Sequence, residues 1–474
     1  MNNIPFVKLT ATVSQWLAKE TILSKLINFV HVFRVNVADK PFDDSQKKYI
    51  DTIMKLDNSK TIMLETKWEE VKVQNMSPID LVVWQRISLE FSALKEESTD
   101  TIFVNYWYLS EIPEWVSFSF EESSVVLKVT GSHEWIVDCV VQEAWMISLY
   151  KHLIFIDYKP KLSFLSEKDK KDVIWWLQSG VNMIAASSVK KPEDVVSIRD
   201  FLEENGWEWI KIFVRLHKKE AFENIDAIIE ACDGIICSYG EVVEFLWPDV
   251  TCLHVLEKVK RMWKPFMLNI QKKEYESIKW ASFDAMLASY INAWLDSFML
   301  AEDIVEEDQL QDEIIAFHDR IYDMKPSFDL LDRVDVYATL ATEEENINDY
   351  LIHKTFRAAR DLPVRAIICY TDTWETISKL VALKTHIPVI VFTKSDPVYR
   401  YINIFWGVKW YKISQNFNYA SFKRIGKEMI RILFKWNISL DDKILILKVN
   451  EKWTPKDKDS DMINWIELHK FKNI

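Results

Sequence analysis

The sequence predicts an α/β protein: a (β/α)8, or TIM, barrel with a β-rich lid domain inserted into it and an α/β domain at the C-terminus. Three observations carry this expectation. Short apolar runs rich in β-branched residues alternate with amphipathic helical stretches, the pattern of parallel β/α units. Eight such runs occur in the barrel region, the number a closed barrel needs. Between the third and fourth the texture changes to short runs alternating apolar and polar residues, as in Val116-Ser-Phe-Ser-Phe120 and Val125-Val-Leu-Lys-Val129. That alternation marks a half-buried, mostly antiparallel sheet.

In chain order, the candidate barrel strands are Val7–Val13, Val30–Val37, Thr61–Glu65, Val181–Val189, Trp209–Leu216, Gly234–Ser238, Pro265–Ile270 and Phe298–Ala301. The lid is expected at residues 74–160, which splits the barrel into parts 1–73 and 161–335. An acidic helical stretch, Ala301–Glu313, and a polar connection near Glu343–Asn348 lead to the last domain, expected at 336–474. Its buried strands read as Ala366-Ile-Ile-Cys-Tyr370, Pro388-Val-Ile-Val-Phe392 and Lys443-Ile-Leu-Ile-Leu447. There is no low-complexity tract and no internal repeat of solenoid period.

A chain of 474 residues, 49% hydrophobic, is long enough for two or three domains with sizeable cores. The net charge of −13 and pI near 5.4 argue against nucleic-acid or anionic-membrane binding, which a basic surface would drive. Five dispersed cysteines, with no C-x-x-C pair, suggest neither a disulfide framework nor a zinc site. No apolar run reaches membrane-spanning length and no basic region precedes an apolar stretch at the N-terminus, so a cytoplasmic location is expected.

Chemistry on such a barrel sits at the C-terminal ends of its strands. The segments Leu165-Ser-Glu-Lys-Asp-Lys-Lys-Asp172, Asn224-Ile-Asp226 and Asp233-Gly-Ile235 resemble the second half of a pyruvate kinase barrel, and the domain order resembles that family over nearly the whole chain. The resemblance implies transfer of a phosphoryl group from phosphoenolpyruvate to ADP, with Mg²⁺ and K⁺ as cofactors and a homotetrameric assembly. The second strand ends in Arg34-Val-Asn-Val-Ala38, similar to the family's Arg-x-Asn-Phe-Ser, which makes Arg34 a phosphate ligand and Asn36 a K⁺ ligand, with the serine replaced by Ala38. A planar guanidinium suits phosphate.

The third strand gives Leu64-Glu-Thr-Lys-Trp68 for Leu-Asp-Thr-Lys-Gly, leaving Glu65 and Thr66 as K⁺ ligands. The fifth departs most: Ile212-Phe-Val-Arg-Leu-His217 stands where Ile-x-Ala-Lys-Ile-Glu is usual. Arg215 replaces the transfer lysine, and His217 replaces a hard carboxylate by an imidazole, a poor ligand for Mg²⁺. The sixth offers Ser238-Tyr-Gly-Glu241 for Ala-Arg-Gly-Asp, with Gly240 beside the substrate and Glu241 on the metal. On the seventh, Ile270 takes the place of the substrate threonine. In the C-terminal domain, Thr371-Asp-Thr-Trp-Glu-Thr376 resembles the Thr-x-Ser-Gly-x-Thr loop for effector phosphate, implicating Thr371, Thr373, Trp374 and Thr376.

Two readings follow, an impaired pyruvate kinase or a silent paralogue serving as a binding or assembly subunit. A recycled barrel for aldol or decarboxylation chemistry is a third class, because fold does not fix function.

One composition line is abnormal. The chain has 7 glycines, where average usage of about 7% would give roughly thirty, and 21 tryptophans. Set beside the family, Trp68, Trp115, Trp145, Trp176, Trp263, Trp294, Trp374 and Trp453 fall at or beside glycine positions, whereas Trp406 matches a family tryptophan. Glycine occupies such places because of positive φ or close backbone approach. The expectation is a source whose code reads UGA as glycine, the alternative being genuine aromatic substitution.

Overall fold

The computed structural model describes residues 6–13, 17–36, 44–66, 71–92, 97–106, 108–120, 123–148, 151–158, 160, 164–165, 167–238, 252–272, 275, 280–301, 304–306, 308–324, 347–383, 385, 387–413, 419–434, 437–449 and 465–471. The chain forms two compact units, one of Val37–Pro41 with Lys67–Lys170 and one of the remainder.

The larger unit contains the predicted barrel. Its strands are β1 (Lys8–Thr12), β2 (Val32–Asn36), β3 (Thr61–Thr66), β4 (Met183–Ala186), β5 (Lys211–Leu216), β6 (Gly234–Ser238), β7 (Phe266–Ile270) and β8 (Ser297–Leu300). All eight run parallel, each beside its sequence neighbour, and β8 closes on β1 through Lys8↔Ser297 to Ala11↔Leu300. The β-branched runs suit this position, because parallel strands covered on both faces have no solvent side to alternate toward. Leu9, Phe33, Leu64, Ile184, Phe213, Ile236, Leu268 and Phe298 are fully enclosed. The barrel helices are placed by their ends: Pro192 opens Pro192–Glu204, and Asp194 Oδ2 accepts from the Lys190 and Lys191 amides at 2.8 and 3.1 Å, satisfying donors the helix leaves open.

The C-terminal part of this unit is a five-stranded sheet of Val408–Lys412, Val389–Thr393, Val364–Tyr370, Lys443–Lys448 and Trp465–Lys470, in that order, the last pair antiparallel. Its inner strands coincide with the three predicted; the two edge strands were not foreseen. The segment 400–408 abuts the N-terminal ends of the barrel strands. Lys8 Nζ donates to Val408 O (2.6 Å), Asn403 Nδ2 to His31 O (2.8 Å), Tyr401 OH to Asp233 O (2.8 Å) and Thr61 Oγ1 to Arg400 O (2.5 Å). Asp296, fully buried, accepts from the Trp406 and Phe266 amides (3.0 and 2.8 Å) and pairs with Lys260. The helix expected over Ala301–Glu313 instead spans Leu310–Asp323; the apolar stripe Leu310, Ile314, Phe317 and Ile321 begins only there.

The smaller unit is the predicted β-rich insertion. Its seven-stranded sheet runs 71–72, 152–156, 117–120, 126–133, 136–143, 86–91 and 101–104, antiparallel except for the pair Arg86–Phe91 and Thr101–Val104. Leu89, Ile102, Phe118, Leu127, Val137 and Val141 form its core.

Among the described residues five other than glycine have positive φ, and three are tryptophans: Trp84 (69°), Trp263 (57°) and Trp294 (62°). Trp374 and Trp176 do not belong with them. Trp374 is right-handed (φ −84°, ψ −19°) and Trp176 is buried within the helix Glu167–Gln178, so neither needs glycine for its backbone angle. Trp68 and Trp453 lie outside the described residues.

Candidate active site

The C-terminal ends of β2, β3 and β5 bring three of the predicted residues into one cluster. Glu65, next to last in β3, is 1% exposed, with a guanidinium on either oxygen. Arg215 Nη1 donates to Oε1 at 2.6 Å, and Arg34 Nε pairs with Oε2. Ser187 Oγ, just past β4, donates to the same Oε1 at 3.1 Å. Arg34 also donates through Nη1 to Thr12 Oγ1 (2.8 Å) at the end of β1, and the Thr12 hydroxyl in turn donates to Leu300 O (3.0 Å) on β8. The chain of contacts therefore crosses six strands or strand ends. Burial by itself would raise the Glu65 carboxyl, but the adjacent Arg34 and Arg215 outweigh it and hold the group down to about 2.

The remaining sequence candidates are placed as follows. Asn36 ends β2 opposite Glu65 in the parallel register. Thr66 is buried at the end of β3, and its Oγ1 has no protein hydrogen-bond partner among the described residues. His217 follows β5 and is half-buried. Ile270 ends β7 fully enclosed, its carbonyl accepting from the Ala301 amide at 3.2 Å. Gly240 and Glu241, two and three positions after Ser238 at the end of β6, lie outside the described residues.

Four polar groups join this rim without having been singled out from sequence: Thr12, Ser187, Ser188 and the pair Ser238–Asn269, in which Asn269 Nδ2 donates to Ser238 Oγ at 3.0 Å. Ser188 Oγ and Asn269 Oδ1 are buried without a protein partner among the described residues, as Thr66 Oγ1 is. Unmet groups of this kind are places for a substrate or an ordered water. Ser187 and Ser188 directly follow β4, whereas Thr12, Ser238 and Asn269 are the last or next-to-last residues of β1, β6 and β7.

The effector-loop candidates sit elsewhere, on the turn between Val364–Tyr370 and the helix Glu375–Ala382. Thr371 Oγ1 donates to Thr373 O (2.7 Å) and accepts from the Thr373 amide (3.1 Å). Asp372 Oδ1 accepts from the Lys394 amide (2.9 Å) and Oδ2 from Tyr370 OH (2.5 Å). Thr376 is buried, and the Trp374 ring lies edge-on to Tyr401 at 5.6 Å beneath Lys211 Nζ at 4.5 Å. These contacts fix the turn through Asp372, between Lys394 just past the following strand and Tyr370 of the preceding one.

The two implied cations fare differently against these residues. A K⁺ ion needs Glu65 as a charged ligand, yet both oxygens are engaged by guanidinium groups, and Ala38 offers no side-chain oxygen; the residues do not fit it. Of the divalent pair, Glu241 lies outside the described residues and His217 is an imidazole, so the described donors do not fit Mg²⁺ either.

Comparison with known proteins agrees with the architecture. Residues 7–274 match the family description "Pyruvate kinase, barrel domain", and residues 349–459 match "Pyruvate kinase, alpha/beta domain". The chain is 26% identical over 369 residues to the pyruvate kinase of Clostridium acetobutylicum, covering 75% of this chain and 76% of that protein. It is 24% identical over 426 residues to that of Sporosarcina psychrophila, covering 85% of this chain and 70% of the other. The crystal structure of Cryptosporidium parvum pyruvate kinase superposes with a TM-score of 0.78 at 17% identity, over 98% of each chain, a likeness of fold. With the barrel description alone spanning more than half its length, the chain belongs to the pyruvate kinase family.

Proposed function

We propose that the chain transfers the phosphoryl group of phosphoenolpyruvate to ADP, giving pyruvate and ATP, at a rate lowered by its own active-site residues. The observation that supports this reading is the convergence of Arg34 and Arg215 on one point at the ends of β2 and β5. Phosphoryl transfer needs little covalent help from a protein; positioning and positive charge around the phosphate oxygens supply most of the catalysis. In the proposed reaction the bond between phosphorus and the enol oxygen breaks, a bond to the terminal phosphate oxygen of ADP forms, and the enolate takes a proton at carbon to give pyruvate. Arg34 holds the phosphate, and Arg215 accompanies it in place of a lysine.

The same geometry accounts for a low rate. To reach a moving phosphoryl group, Arg215 must leave Glu65, and uncoupling a buried ion pair costs about 3–5 kcal/mol. Spread over the activation barrier, that corresponds to roughly 10²–10³-fold in rate or more. Ile270 offers no hydroxyl near the substrate, so the enolate proton comes from solvent. A tetramer in the cytoplasm completes the proposal, and light scattering of the purified protein checks the assembly.

Pyruvate formation from phosphoenolpyruvate and ADP, followed with lactate dehydrogenase and NADH, tests the reading. ADP-dependent turnover that disappears in Arg34→Ala supports it. No turnover from folded protein favours the second reading, a silent paralogue, which the saturation of both guanidiniums by Glu65 would explain.

A further inference from the structure

We infer that Arg215 is a built-in replacement for the monovalent cation, so that the barrel mouth takes no K⁺. The geometry carries this. Glu65 is buried, and its two oxygens face Arg34 and Arg215, with Ser187 completing the shell of Oε1. A carboxylate between two fixed positive charges has no charge left for a third cation, and a K⁺ ion entering here would meet two guanidiniums at close range in a low-dielectric setting. The extra methylene of Glu65, relative to an aspartate, carries the carboxylate toward β5, where Arg215 receives it. Arg215 thus acts on Glu65 as a positioning residue, whether or not the protein turns over.

Binding of Tl⁺, a K⁺ surrogate observed by its own NMR resonance, and thermal melting in KCl against tetramethylammonium chloride at equal ionic strength test this without any activity measurement. Wild-type protein is expected to show no Tl⁺ site and melting temperatures within about 1 °C in the two salts. Arg215→Ala is expected to acquire a Tl⁺ site and to melt roughly 2–4 °C higher in KCl, the shift that modest binding by the folded state alone produces. Should Arg215→Ala not fold, Arg215→Gln provides the same comparison. A Tl⁺ site or a KCl-specific gain in wild type overturns the inference, as does a folded Arg215 variant that remains indifferent to K⁺. Loss of turnover, by contrast, would bear only on the phosphotransfer reading.

A second inference rests on the backbone alone: we propose that the natural protein has glycine at positions 84, 263 and 294. Four barrel helices end in one hydrogen-bond pattern. Gly180 N reaches Leu177 O and Val181 N reaches Trp176 O, at 3.1 and 3.2 Å; Gly206 N reaches Glu203 O and Trp207 N reaches Leu202 O, at 3.1 and 2.8 Å. The same pair of bonds joins Trp263 to Lys260 and Lys264 to Val259, at 3.0 and 3.2 Å, and Trp294 to Ile291 and Leu295 to Tyr290, at 3.1 Å each. This is the Schellman closure, whose left-handed residue is most often glycine. Two of the four helices carry it, and the other two carry the bulkiest side chain available. Trp84 is the third residue of a turn closed by Gln85 N to Val82 O (3.0 Å), where positive φ again calls for glycine. A bulky residue with positive φ is an outlier at any one of these places. Reassignment of one codon explains all three together and leaves Arg34, Glu65 and Arg215 untouched.

Peptide mass spectrometry of the protein from its native source reads positions 263 and 294 directly. Glycine is the expected result, and tryptophan at both refutes the proposal. In recombinant protein, Trp263→Gly and Trp294→Gly are expected to raise the melting temperature, where truncating a well-placed core tryptophan would lower it; a fall of several degrees in both also refutes it.

Discussion

Replacing Glu65 by glutamine removes one negative charge from between two guanidiniums and leaves the shape nearly unchanged. The cost can be worked in two ways. Lowering the carboxyl from its ordinary 4.5 to about 2 corresponds to about 3 kcal/mol of stability at neutral pH. Removing one partner from a buried ion pair costs about 3–5 kcal/mol by itself, and here both Arg34 and Arg215 would be left facing a neutral amide. The two routes agree on about 3 kcal/mol, which for a unit of roughly 365 residues, at about 2.1 cal/mol/K of unfolding entropy per residue, is a fall of roughly 4 °C in melting temperature. Near-UV circular dichroism at pH 7.5 provides the measurement.

The pH dependence supplies an independent check. Because the folded-state value is depressed, the stabilisation is fully present above the unfolded value of 4.5 and is lost as pH falls toward about 2. The difference between wild type and Glu65→Gln should therefore be constant from pH 7.5 to 5 and shrink below 4.5. A Glu65→Gln protein melting within about 1 °C of wild type at pH 7.5 would refute the reasoning. So would a large difference that persists unchanged at pH 3.

Lys260→Met should cost about 3–5 kcal/mol in urea denaturation, because it strands the fully buried Asp296 without its cation. Asp372→Ala should lower the melting temperature by a few degrees through loss of acceptors for Lys394 N and Tyr370 OH, worth about 1–2 kcal/mol. It should also leave inorganic phosphate binding, followed by calorimetry, no weaker than in wild type. The combined change Arg215→Lys, His217→Glu and Ile270→Thr should raise kcat for pyruvate formation by at least about tenfold, since residues of one constellation act together.

The barrel was legible because its strands are short, β-branched and enclosed, as in Ile212-Phe-Val-Arg-Leu216, and such runs announce themselves without a partner. The edge strands Val408–Lys412 and Trp465–Lys470 were not, because charged residues break their apolar pattern and only sheet pairing makes them strands. In the candidate site, Arg34, Glu65 and Arg215 were each visible at a strand end. Their contact was not, since only barrel closure brings residues 150 positions apart to 2.6 Å. Ser187 and Thr12 were missed because a hydroxyl at or just past a strand end becomes a candidate only once its neighbours are known. The tryptophan pattern was read through glycine positions, and the backbone supports it at 263 and 294, gives no φ requirement at 374 and adds 84.

The contacts of segment 400–408 with the barrel floor bear on how this chain can be inherited and dissected. Asp296, Lys8, His31 and Thr61 each find a partner in that segment, through the Trp406 amide, Val408 O, Asn403 Nδ2 and Arg400 O. A gene fragment ending before the C-terminal domain would encode a barrel with those groups opened to water. Recombination between the two parts is therefore constrained to exchange them as a matched set, and a mismatched chimera should fail in expression before its chemistry can be assayed.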